Sequence, residues 1–455
     1  MNRHVLIGRL GSEDKIVVPV GDCEEATELQ FVHATKRLDH GIGRALDDLA
    51  KLKIYPSETG VDLMVVAAHV HAADTRLSRD TESQDDWTRE IRLVIPVKDV
   101  TLWQSCKTIL ERMLNFLTGD FWTIDFRRRP KGFETTVNPP PAELLGLPFD
   151  GVSLFSGGLD SLIGAIDELE AGRTPLFVSH AGEGAVSTSQ ESLFRALENH
   201  YKGRSFAKLR VWMAFPNDLF KGVPAEMTTR GRSFLFCAAG IFASTGLDKT
   251  VTLRVPENGL IALNVPLDQL RLGALSTRTT HPFYIARWSE LLRILGVSTQ
   301  IENPYWDRTK GEMVAACANR NLLQRIVGDS MSCSSPTKGR WTGHGIEHCG
   351  FCLPCLIRRA AIKAALGKDD PTTYTLADLT SQNLGTRRAE GRQVRSLQLA
   401  IDRLRKEPRL ASILIHKPGS LSSQSAARQA SLADVYRRGM IEVGKLLKGV
   451  EAGPS

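Results

Sequence analysis

Six consecutive residues, Ser156-Gly157-Gly158-Leu159-Asp160-Ser161, combine the residue types that hold a phosphate chain. Adjacent glycines let the backbone curl until successive N–H groups point into one concavity. Ser156 and Ser161 add hydroxyl donors, and a helix opening near Ser161 brings the positive end of its dipole. Asp160 supplies a carboxylate, a natural oxygen ligand for the Mg2+ that accompanies a nucleotide. The string follows an apolar run, Val152–Phe155, and precedes a helical pattern over Leu162–Glu170. An α/β sheet presents its ligands at such a junction, beyond the C-terminal ends of its strands. The Gly-x4-Gly-Lys-Ser/Thr string of kinases and GTPases does not occur in the chain.

A second constellation is built from cysteine. Of the eight cysteines, Cys23, Cys106, Cys237 and Cys317 stand scattered in apolar or helical surroundings and read as small core residues. Cys333, Cys349, Cys352 and Cys355 are spaced by 16, 3 and 3 residues, which turns three thiolates toward one point and lets the fourth close a tetrahedron. Four protein ligands with no open position make a structural zinc site. In a reducing compartment such clustering argues for metal over disulfides. An iron–sulfur cluster on the same thiolates, or a redox Cys-x-x-Cys pair, are the alternatives. His344 and His348 lie inside the loop as possible replacements for one cysteine.

Three regions must carry these residues. Over 151–370 strand and helix patterns alternate: strands at Val152–Phe155, Leu176–His180, Leu209–Phe215, Val251–Val255 and Thr299–Glu302, helices at Gln190–Tyr201, Arg232–Ser244 and Lys310–Ala318. That rhythm predicts a doubly wound α/β domain with a largely parallel sheet. Residues 1–150 read as a small α+β accessory domain. Its strands are expected at Lys15–Val20, Asp62–Ala67, Ile91–Val97 and Phe121–Phe126, with a helix over Leu102–Leu117 stopped by Thr118-Gly-Asp. His69 and His71 read as one polar strand face, and Asn138-Pro-Pro-Pro141 as a linker. Beyond Asp370 the chain is helical and basic, with a break at Lys417-Pro-Gly-Ser.

Charge separates the regions. The 58 Lys and Arg exceed the 51 Asp and Glu by seven, and residues 371–455 hold 14 basic against 7 acidic, so residues 1–370 are neutral. An excess confined to one end suggests docking on an anionic surface, nucleic acid or an acidic partner; a solvated basic face is the plainer alternative. With 42% hydrophobic and 24% charged residues, wholesale disorder and fibrous repeats are excluded. No apolar run reaches the roughly 18 residues of a membrane span, and no signal-peptide pattern follows Met1. The expectation is a cytoplasmic protein without membrane contact.

The Ser-Gly-Gly-x-Asp-Ser string resembles the PP-loop of the ATP pyrophosphatase families. Together with the Cys-Gly-x-Cys-x-x-Cys knuckle it resembles QueC, the 7-cyano-7-deazaguanine synthase family, over about residues 151–368. The resemblance implies an adenine nucleotide alpha hydrolase-like fold, with ATP, Mg2+ and Zn2+ as cofactors. It implies phosphate binding by Ser156, Gly157, Gly158, Leu159, Asp160 and Ser161, with His180 beside the nucleotide. Gly231-Arg232-Ser233 looks like the family's Arg-Asn pair, and Thr309-Lys310-Gly-Glu312 like its Thr-Lys-x-Glu stretch. Arg232 and Lys310 would then neutralise a departing pyrophosphate beside Asp160 and Ser161. Glu183, Ser233, Glu257 and Asn258 are candidates for a substrate pocket, with a plain turn as the other reading of Glu257-Asn-Gly.

The implied chemistry is adenylation of the carboxylate of a 7-deazaguanine, release of pyrophosphate, and attack by ammonia or an amine. Plain QueC proteins lack both the first 150 residues and the basic end. The full layout, with Leu117-Thr-Gly-Asp-Phe-Trp122 and Val255-Pro-Glu-Asn-Gly259, looks like the QatC family, the QueC-like components of bacterial Qat anti-phage systems. That resemblance implies operon partners, an ATPase and a TatD-like nuclease, and suggests a partner protein's amine as the acceptor. Two rivals stand beside it: a tRNA-modifying PP-loop enzyme, and a non-catalytic nucleotide-binding subunit.

Overall fold

The computed structural model describes residues 3–33, 37–84, 87–138, 149–182, 184–226, 228–247, 249–267, 278–337, 343, 345–367 and 370–454. The chain opens with β1 (Arg3–Arg9), β2 (Glu24–Gln30), α1 (Ile42–Lys51), α2 (Glu58–Arg76), α3 (Arg79–Glu82), β3 (Glu90–Val97), α4 (Val100–Thr118) and β4 (Phe121–Arg128). It continues through β5 (Gly151–Leu154), α5 (Leu159–Glu170), β6 (Pro175–His180), α6 (Gly184–His200), β7 (Ala207–Val211), α7 (Arg232–Ser244) and β8 (Thr252–Arg254). After these come α8 (Gly259–Leu263), α9 (Pro282–Ile294), β9 (Gln300–Glu302), α10 (Lys310–Ala316), α11 (Arg320–Ile326) and α12 (Leu353–Leu366). The last elements are β10 (Leu384–Gly385), α13 (Ala389–Lys406), α14 (Leu410–Leu414), α15 (Ala426–Leu446) and β11 (Ala452–Gly453).

The central sheet runs β7-β6-β5-β8-β9, and every pair in it is parallel. β5 is first in sequence and central in space, so the winding direction reverses between β5 and β8. Such a switch point opens a crevice at the C-terminal strand ends. The loop after β5 and the loop after β8 both lie there, which is why Ser156–Ser161 and Glu257–Asn258 come together. The central expectation therefore holds at the level of a mixed α/β chain with parallel sheets.

The first 150 residues differ from expectation. Their sheet, β2-β1-β3-β4, is also wholly parallel, so this region is built like the central one and not as α+β. Asp62–Ala67 lies inside helix α2 and is not a strand. From Gly60 to Thr75 every residue of α2 is buried, since the helix is packed against α7 as well as β3. A helix apolar on all sides has no 3.6-residue stripe, and its sequence reads as a strand run. His69 and His71 are consequently buried helix residues; the His69 Nδ1 bonds the Val65 carbonyl at 2.8 Å. Lys15–Val20 forms no strand either. Val18 packs on Val5, Ile7 and Val94, while Arg9 and Arg92 hold the Ile16 and Pro19 carbonyls. The proposed linker lies, apart from Asn138, outside the described residues.

One apolar core runs from the first sheet through α2 and α7 into the central sheet. Where they meet, Arg89 and Arg79, both buried, bond Asp120 and Asp74, and Asp74 accepts from the Gly231 N–H at 2.6 Å at the start of α7. The residues beyond Asp370 do not form a detached appendix. Leu397, Leu432, Val435, Tyr436 and Met440 share a core with Leu260 of α8 and Leu356 of α12. Among the described residues no helix is long and apolar enough to cross a membrane.

Candidate functional site

Strand β5 delivers the chain into Ser156, and Gly157 turns it with a φ of 82°, a left-handed conformation that glycine adopts without strain. Gly158 then caps α5 and has no side chain of its own to accept from the first turn of that helix. Within the loop the Ser156 and Ser161 hydroxyls lie 3.1 Å apart, and Ser161 Oγ donates to the Gly158 carbonyl at 3.0 Å. The loop is braced from two sides. Gln190 of α6 donates to the Ser156 and His180 carbonyls at 3.2 Å each. From the other side, Met331 N–H donates to the Gly157 carbonyl at 2.8 Å, and Ser332 Oγ accepts from Leu159 N–H at 3.3 Å.

Asp160, the second residue of α5, gathers the neighbouring elements. Its Oδ1 lies 2.8 Å from Lys310 Nζ, and its Oδ2 accepts from Asn258 Nδ2 at 2.8 Å and Asn258 N–H at 3.2 Å. Lys310 and Asp160 are both buried, so this ion pair beside the loop is shielded from solvent and little screened. A carboxylate offers about four lone-pair positions, and three contacts leave room for one more partner. Asn258 also caps α8, its Oδ1 accepting from Ile261 N–H at 3.1 Å. Asn258 is itself fully buried, so it ties α8 to the carboxylate of Asp160. Next to it, half-buried Glu257 accepts from Thr280 Oγ1 at 2.5 Å. Burial and then the charge of Asp160 push the Glu257 carboxyl up to about 7, against the pull of Thr280 and Lys310.

His180 ends β6, buried edge-on to His71 of α2 with ring centroids 5.2 Å apart. Burial and then the charge of Arg232 hold His180 down to about 4, so its imidazole is neutral at pH 7. Arg232 thus stands at the start of α7 beside the two histidines, while Ser233 is buried in the helix. Through Gln190 this group adjoins the loop. Glu183 lies outside the described residues.

The four clustered cysteines converge with all sulfurs within 4.8 Å of one another. Cys333 and Cys352 Sγ are 3.9 Å apart, as are Cys349 and Cys355 Sγ. A disulfide needs about 2.05 Å, whereas thiolates about 2.3 Å from a tetrahedral ion stand roughly 3.8 Å apart. The cluster can therefore hold a metal ion such as zinc. Backbone N–H groups of Ser335 and Cys349 point at Cys333 Sγ, both at 3.4 Å, and Cys352 N–H at Cys349 Sγ at 3.3 Å, a geometry that favours thiolates. His348 is no part of the cluster: its Nε2 accepts from Ser332 N–H at 3.1 Å. His344 lies outside the described residues.

The structure thus brings together Ser156–Ser161, Asn258 and Lys310, with Glu257 alongside and His180 and Arg232 one residue removed. It adds Gln190, Met331 and Ser332. Ser332 was one position from a recognised cysteine, yet nothing in a lone serine signals that it reaches a loop 173 residues away. No protein-family model matches this chain, and no curated protein matches it.

Proposed function

We propose that this chain is a QueC-like PP-loop enzyme that adenylates the carboxylate of a 7-deazaguanine and passes the acyl group to an amine. The observation that carries the reading is the Asp160–Lys310 pair set against a Gly-Gly loop at the switch point of a parallel sheet. In the proposed reaction a substrate carboxylate oxygen attacks the α-phosphorus of ATP. The bond between α and β phosphates breaks, and pyrophosphate leaves with its charge met by Lys310 and the loop N–H groups; Asp160 would hold a Mg2+ ion, which would supply further neutralisation when bound. An amine then attacks the acyl carbon, loses a proton, and displaces AMP to leave an amide. Glu257, half-buried beside Asp160 and poised near neutrality, suits the polar edge of a guanine-like ring. With ammonia as acceptor, a second ATP-dependent activation would dehydrate the amide to a nitrile.

The cysteine cluster fits a structural zinc ion, whose chemistry here is to fix the Met331–Ser332 brace under the loop. The first 150 residues and the C-terminal helices set this chain apart from plain QueC proteins and support the QatC-like reading. A defence role, with operon partners and a protein amine as acceptor, belongs to that proposal. Contact with nucleic acid would fall on the outer face of α13 and its N-cap Arg388, where Arg388, Arg392, Arg395 and Arg403 are exposed.

The test is exchange of labelled pyrophosphate into ATP. Exchange that requires 7-carboxy-7-deazaguanine and disappears in Asp160→Ala is the expected result. ATP binding without exchange for any carboxylate would favour the non-catalytic subunit. Exchange dependent on tRNA would favour the tRNA-modifying rival.

A further inference from the structure

Helix α15 lies far along the chain from the loop, yet it grips the segment that aims Lys310. Thr309 caps α10, and its side-chain oxygen accepts from Glu312 N–H at 3.1 Å while Glu312 accepts from Thr309 N–H at 2.9 Å. Glu442 of α15 reaches into this turn. Its Oε2 accepts from Thr309 Oγ1 at 2.7 Å, and its Oε1 accepts from Gly311 N–H at 3.1 Å. By taking the Thr309 hydroxyl proton it leaves that oxygen's lone pair facing Glu312 N–H. One helical turn earlier, Arg438 donates to Glu312 and, at 2.8 Å, to the Asp307 carbonyl.

Of the four residues Thr309, Lys310, Gly311 and Glu312, three are therefore held from α15, and the fourth turns its ammonium 2.8 Å from Asp160. The fit is close, since a Cβ on Gly311 would overlap the Glu442 carboxylate. Surface ion pairs contribute little when isolated. Glu442 is different, because burial raises its carboxyl and two donors are aimed at it from the cap of the lysine-bearing helix. Solubility would need no such arrangement.

We infer that Glu442 and Arg438 are positioning residues for Lys310, so that the C-terminal helix belongs to the triphosphate site. The inference rests on the proposed role of Lys310 at the departing pyrophosphate. Glu442→Gln keeps the size of the side chain but puts an amide where one acceptor oxygen stood. Arg438→Gln removes the second grip at a more exposed point, with less risk to folding.

The experiment measures ATP and AMP affinity by calorimetry in the full chain, for wild type, Glu442→Gln, Arg438→Gln, Lys310→Ala and Glu442→Gln/Lys310→Ala, alongside hydrogen exchange of the Gly311 amide. Glu442→Gln is expected to weaken ATP at least fivefold while leaving AMP within twofold, and Arg438→Gln to act in the same direction. Adding Glu442→Gln to Lys310→Ala should then change nothing further, since the effect travels through the lysine. Equal loss in both lysine backgrounds, or equal loss for ATP and AMP, would overturn the inference. If wild type does not prefer ATP to AMP, the proposed function fails first. The clamp itself is then read from Gly311 exchange, which should rise in Glu442→Gln; unchanged exchange overturns it.

Discussion

Lys310 and Asp160 each hold the other's charge in a water-poor crevice, so neither can be replaced quietly. Lys310→Ala removes the cation paired with Asp160 and leaves that carboxylate with its Asn258 contacts. Loss of one such stabilising group from a charged transition state costs about 10²–10³ in rate. Pyrophosphate release should fall by that order, with the fold retained by circular dichroism. Glu257 gives a second test. Its carboxyl sits at about 7 in the folded chain against 4.5 ordinarily, so folding binds a proton there more tightly. That contribution to stability is complete below about 4.5 and is lost as pH rises through about 7. The melting temperature of wild type should therefore fall between pH 5 and pH 8 by more than that of Glu257→Gln. Parallel curves would contradict this. At this scale the loop and the cysteines were legible because their chemistry sits within a few consecutive positions. Gln190, Ser332 and Glu442 were not, because each acts across a distance the sequence does not encode locally.

Among the elements, the alternation over 151–370 was readable since strands buried on both faces appear as short apolar runs between helical patterns. Helix α2 was not, because burial on every side erased its stripe and Asp62–Ala67 took on the look of a strand. The loop after β5 depends on Gly157 at φ 82°, where a Cβ would stand 3.1 Å from Gln190 Cγ. Gly157→Ala should cost roughly 1–2 kcal/mol from the left-handed backbone alone and weaken ATP binding, read by thermal melts and calorimetry. The cysteine cluster is tied to the same loop through Met331 and Ser332. One bound metal ion per chain is expected by elemental analysis. Chelation, or Cys352→Ser, should lower both the melting temperature and ATP affinity; nucleotide binding indifferent to the metal would contradict the brace.

As a whole molecule the chain does not divide where its composition does. Its excess positive charge marks residues 371–455, and that boundary suggests an appendix. Yet Val435 and Gly439 lie against Gly259 and Leu260 of α8, which follows the loop after β8, and Leu356 of α12 shares their core. Net charge reports on surfaces, not on which apolar faces are covered. A chain ending at residue 370 should expose Leu260 and Leu356 and be recovered aggregated or poorly folded by size-exclusion chromatography. In the proposed reaction this assembled site activates a deazaguanine carboxylate for an amine. Its most direct test is mass spectrometry of a reaction containing ATP, Mg2+ and 7-carboxy-7-deazaguanine, with ammonia or candidate partner proteins, alongside Asp160→Ala. Wild type should yield AMP, pyrophosphate and a deazaguanine amide, nitrile or protein adduct, and the variant none of them. Absence of AMP with every acceptor, in a chain shown to bind ATP, would contradict the proposed reaction.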